Sequence, residues 1–142
     1  MDMSFREKSL WLLLLGLIAA FWWYFASVLP ARPLDVGPEH VMTFIGMLVV
    51  LVTVQVVGQT VLAIAGRGEI AAHVQSDERD ARISLKSTRL AGYVLSGGVF
   101  VSLCVALIVP GNFAFAHTLL AFWALAQAVE ILTQLILYRR GV

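Results

Sequence analysis

The sequence predicts an all-α polytopic membrane protein, an antiparallel up-down four-helix transmembrane bundle with a cytoplasmic extension of its third helix. Three observations predict it. Apolar residues fill 60% of the 142 positions and charged residues only 13%, against about 45–50% and about 25% in ordinary soluble domains. The apolar residues gather in four stretches, at about 9–29, 40–65, 90–109 and 113–138, each long enough to cross a hydrocarbon core of about 30 Å. Breakers separate them, and cations concentrate in alternate connections.

The first span, Ser9 to Leu29, follows Arg6 and Lys8 and closes on the cluster Phe21, Trp22, Trp23, Tyr24 and Phe25. Basic residues before an apolar run also begin a secretory signal peptide. Here the run continues through the aromatic cluster without a small-x-small cleavage pattern, which favours a span. Pro30, Pro33, Gly37 and Pro38 break the chain. The second span, His40 to Ala65, begins with Gly37 as cap, Pro38 at the first helical position and Glu39 at the positive dipole end. Gly66 and Gly68 end it. The third span, Leu90 to Val109, is joined to the fourth, Phe113 to Tyr138, by Pro110, Gly111 and Asn112. Such short connections make neighbouring helices antiparallel. The spans consume most of the length, so residues 1–142 form a single transmembrane domain.

The one long connection, 66–89, is read as a cytoplasmic loop that ends in helix. Ser76 suits an N-cap, and Asp77 and Glu78 suit the first turn. With no breaker before the membrane, one helix should run from about Asp77 through the third span, its first three turns standing out in the cytoplasm. Arg79, Arg82, Lys86 and Arg89, spaced by three, four and three, then share a narrow face, and Glu78 can pair with Arg82.

Lys and Arg in short loops remain on the cytoplasmic side. Arg6, Lys8, Arg67, Arg79, Arg82, Lys86, Arg89, Arg139 and Arg140 fall on one side and only Arg32 on the other. Both termini are therefore expected in the cytoplasm. The cluster from Phe21 to Phe25 then reads as an outer aromatic belt, with Trp11, Tyr93 and Tyr138 near the inner interface.

Glu130 is the acidic residue inside a span, where a charge costs about 2.5–3.5 kcal/mol near the helix centre. Gln127, Glu130 and Gln134 share a face of the fourth span, and Gln55 and Gln59 share a face of the second at similar depth. These five form an expected polar layer, with Glu130 facing Gln55 and Gln59. Gly97 and Gly98 in the third span would permit close helix approach there. The layer is either a proton or ligand site or interhelical glue. The basic face of Arg79, Arg82, Lys86 and Arg89 is likewise either a docking surface for anionic lipid or an acidic partner, or a topology signal on a solvated helix.

The single cysteine, Cys104, excludes an internal disulfide, a redox pair and a multi-cysteine metal site. His40 and His117 would have to hold any haem or metal, and two ligands near the membrane surface are too few, so no cofactor and no metal are expected; His73 reads as a solvated loop residue. No phosphate-cradling loop, nucleophile elbow or zinc motif appears. No catalytic residue is assigned, an enzyme is not expected, and no charge-rich tail points to nucleic acid.

FREKSLW at 5–11, DERDARISLKSTR at 77–89, and Glu130 followed by LILYRRG at 135–141 together resemble a family of uncharacterised small bacterial four-span inner-membrane proteins. Members have a similar Phe, Arg or Glu, Glu, Lys, Ser start, an Asp, Glu, Arg motif before the third span and a Tyr, Arg, Arg exit from the fourth. The resemblance picks out Glu7, Lys8, Asp77, Glu78, Arg79, Lys86, Arg89, Glu130, Arg139 and Arg140 and gives none of them a chemical role. Members are often encoded beside small helix-turn-helix regulators, so the resemblance favours a regulatory or stress-related role. The leading expectation is a non-enzymatic module in the lipid bilayer that binds a protein partner or itself as a homodimer. The alternative is a small proton-coupled transporter, or a subunit of one, using Glu130.

Overall fold

The computed structural model describes residues 5–65 and 77–140. Gly66, Arg67, Gly68, His73 and Ser76, to which the loop and cap expectations attach, lie outside the described residues. The described residues form four helices: α1 (Phe5–Val28), α2 (Pro38–Ala65), α3 (Asp77–Ile108) and α4 (Phe113–Arg140). All four are long and apolar enough to cross a membrane.

They form an up-down four-helix bundle in which α1 and α4 are the inner pair. The extensive contacts are α1 with α2, α1 with α4 and α3 with α4. α2 and α3, although consecutive, flank this pair, and the long connection makes such a separation possible.

The central place of α1 shows in its burial. Leu10, Leu14, Leu17, Phe21, Tyr24 and Val28 are buried, at alternating spacings of four and three that keep one seam in contact with its neighbours. α2, by contrast, buries only His40 and Met47 and turns Val49, Val50, Val54 and Val61 outward. A helix apolar all round suits lipid on its outer faces.

α3 meets α4 through small residues. Ser87, Ala91, Gly98 and Ser102 are buried on it, each separated from the next by four or seven residues, the pattern that lets helix backbones approach closely. A Cβ on Gly98 would run into the Cβ and ring of Phe122 on α4, whereas one on Gly97 would meet open space. Of the two glycines flagged in the third span, Gly98 alone makes a close approach.

The connections at the Arg32 end are fastened to each other. Asn112 Oδ1 accepts from the Val36 amide at 2.7 Å, the Asn112 amide donates to Asp35 Oδ1 at 3.1 Å, and the Phe113 amide donates to the Leu34 carbonyl at 3.0 Å. Gly111 has φ 81° and lies against that same carbonyl, so both its backbone conformation and its missing side chain are required. α2 begins at Pro38 as its cap predicts, and the His40 ring accepts from the Gly37 amide through Nδ1 at 3.1 Å.

Candidate functional site

At the opposite end the first turn of α1, the last turn of α4 and the start of α3 are joined by polar contacts. Arg6 pairs with Asp80 at 2.8 Å, and the Tyr138 hydroxyl donates to the other Asp80 oxygen at 2.8 Å. The Arg6 guanidinium lies 5.6 Å from the centre of the Tyr138 ring, and Arg139 pairs with Glu7 at 3.4 Å. The extension of α3 is thus continuous helix, as predicted, but its first turn is braced by α1 and α4. It does not stand clear of the bundle. The physical reason is charge: Asp80, three residues into α3, faces the cation that precedes the apolar run of α1.

The basic face survives as a flank of this braced segment. Arg79, Arg82, Lys86 and Arg89 are all exposed, while Ile83, Ser87 and Ala91 are buried. Helical spacing puts the two sets on different sides of α3.

The expected polar layer divides in two. Gln55 on α2 donates to the Leu13 carbonyl of α1 at 3.1 Å, and Gln59 exchanges hydrogen bonds with Ser9, donating to its carbonyl at 3.3 Å and accepting from its hydroxyl at 2.7 Å. Glu130 does not face them. Its carboxylate accepts from the Thr88 hydroxyl of α3 at 2.8 Å, and Gln127 and Gln134 are half-buried on the same helix. The extensive contacts of α2 are with α1, and those of α3 are with α4, so α1 stands between α2 and the Thr88 side of α4. Glu130 also lies level with Arg89, the residue after Thr88, so it sits where the cations of α3 end.

The Arg32 end departs from an aromatic belt. Trp22 and Trp23 are exposed, 77% and 55%, as belt residues would be, but Phe21 and Tyr24 are core residues. Both membrane-end histidines are buried too. The Phe113 carbonyl can only accept, so at 2.8 Å it fixes the proton of His117 on Nδ1; Nε2 then accepts from the Tyr24 hydroxyl at 3.0 Å. The His40 and His117 ring centroids are 6.4 Å apart, yet these bonds occupy both nitrogens of His117. Among the described residues no three His, Cys, Asp or Glu side chains gather as a metal site.

Thr88, Ser9 and Tyr24 are the partners that sequence reasoning missed. The small-residue stripe on α3 was the available signal for Thr88, because it marks the face that meets α4. For Ser9 and Tyr24 the sequence carries no comparable mark.

Four apolar membrane-length helices and a bundle whose outer faces are apolar define a multi-pass membrane protein. No protein-family model, no curated protein and no solved structure matches the chain.

Proposed function

We propose that this chain is a non-enzymatic interaction or regulatory module of a bacterial inner membrane, with both termini cytoplasmic, which binds an acidic protein partner through the basic flank of α3. The observation that carries the reading is the division of that segment: Arg82, Lys86 and Arg89 are exposed while Ile83, Ser87 and Ala91 hold it against α4. A braced helix presents its charges in a fixed array, so less ordering is needed on binding. The cation bias supports the orientation, since Arg6, Asp80, Tyr138 and Arg139 mark one end of the bundle and Arg32 the other.

Copurification from native membranes with mass spectrometry tests this. A stoichiometric acidic partner is expected, retained about tenfold less by an Arg82→Gln, Lys86→Gln double variant. Equal retention would sink the reading. Orientation should survive in that variant because Arg6, Lys8, Arg79, Arg89, Arg139 and Arg140 remain.

One observation favours a second reading, proton-coupled transport: the Glu130 carboxylate is only half-buried and its hydrogen bond comes from a single hydroxyl, Thr88. An intramembrane carboxylate is a functional candidate by default. A homodimer without other partners, together with pH-driven proton uptake lost in Glu130→Gln, would favour it.

A further inference from the structure

Two apolar cavities lie side by side at the Arg32 end, and their walls converge on the same three residues. The larger, about 700 Å³, is bounded by Leu34, Pro110, Phe113 and His117 together with Phe25, Leu29 and Arg32. The smaller, about 380 Å³, is bounded by Trp22, Ala26 and Pro30 together with the same Phe25, Leu29 and Arg32. Both volumes fall within the range of roughly 300–1,000 Å³ typical of ligand sites. Phe25 near the end of α1 and Leu29, the residue just past its last turn whose amide donates to the Phe25 carbonyl at 3.0 Å, form a ridge between two apolar troughs, and Arg32 is the cation at the head of the ridge.

Arg32 is also the only Lys or Arg of the chain assigned to this side of the membrane. Among the described residues it has no ion pair. The nearest acid along the chain, Asp35, accepts from the Asn112 amide instead. Arg32 has φ 38° and precedes Pro33, a backbone conformation uncommon for a residue with a side chain and disfavoured before proline. The fastened connections hold this cation at the shared rim of the two cavities.

We propose that this end binds an anionic phospholipid, its phosphate on the Arg32 guanidinium and its two acyl chains lying on either side of the Phe25–Leu29 ridge. Two troughs fit two chains, a guanidinium matches a phosphate in bidentate geometry, and the site opens where a bilayer would place its headgroups. A free anion would use only the rim and leave the troughs unfilled.

The test uses the full chain in phosphatidylcholine nanodiscs doped with a phosphatidylglycerol carrying a photoactivatable acyl chain, with crosslinked peptides mapped by mass spectrometry. Labelling is expected within 22–34 and 109–121, displaced by unlabelled phosphatidylglycerol and not by phosphatidylcholine or inorganic phosphate. Arg32→Gln should reduce it about fivefold, the equivalent of about 1 kcal/mol for one basic contact, and Arg32→Lys should retain most of it. Labelling by Arg32→Gln at the unmodified level, or equal displacement by the two phospholipids, overturns the proposal. Displacement by inorganic phosphate overturns it in favour of a free-anion site, and labelling confined to the α3 flank overturns it in favour of that surface. Circular dichroism of each variant confirms that the helices are intact when labelling is scored.

Discussion

The Tyr24 hydroxyl of α1 and the His117 imidazole of α4 are joined at 3.0 Å, with their rings nearly parallel at 7°. This polar bond in a buried aromatic cluster links the two central helices. Because His117 already donates to the Phe113 carbonyl, it has one orientation available, and that orientation presents Nε2 to Tyr24. Tyr24→Phe should leave Nε2 a buried acceptor without its donor and destabilise the bundle by about 1–2 kcal/mol. A double-mutant cycle with His117→Phe, read by thermal unfolding in detergent, should give a coupling of about 0.6–1.5 kcal/mol. Strict additivity would show that the pair is not coupled.

Gly97 and Gly98 should respond oppositely to the same change. Gly98→Ala places a methyl group against Phe122 and should cost about 1–3 kcal/mol through overpacking, while Gly97→Ala meets open space and should be neutral or slightly stabilising. Unfolding temperatures of the two variants decide it. Equal losses would mean that α3 is rotated relative to α4.

For Glu130, the partner to remove is Thr88 rather than a glutamine of α2. Thr88→Val keeps the shape and deletes the donor, so a purely adhesive bond predicts a loss of about 0.6 kcal/mol, the average for interhelical hydrogen bonds in membranes. Glu130→Gln retains an acceptor for Thr88 and should then be nearly as stable as the parent. Detergent unfolding combined with proton uptake in proteoliposomes separates the readings: a stable Glu130→Gln that loses uptake identifies a proton site, and one with unchanged behaviour identifies glue.

Orientation is checked by cysteine labelling in a Cys104→Ser background. A cysteine at Asp35 should react with an impermeant reagent in intact cells, and one at Gln75 should react only after permeabilisation. The reverse pattern would invert the topology and put the basic flank of α3 outside.

The four helices, their limits within a few residues and the continuity of α3 were legible in the sequence because each rests on local chemistry: apolar length, proline and glycine breaks, and the acidic first turn at Glu39. The close approach of one glycine in the third span was legible in the same way. Which faces meet was not. In a chain apolar on nearly every side, hydrophobic periodicity marks no inside, so nothing local says that α1 and α4 form the centre or that Phe21 and Tyr24 leave an aromatic belt for the core. Tertiary packing decided it through contacts distant in sequence. Gln55 and Gln59 turned to the backbone of α1, Glu130 turned to Thr88, and Asp80 drew the start of α3 down onto Arg6 and Tyr138. Each depends on helix rotation about its axis, a quantity that side-chain pairing between helices determines and that composition along a single helix leaves open.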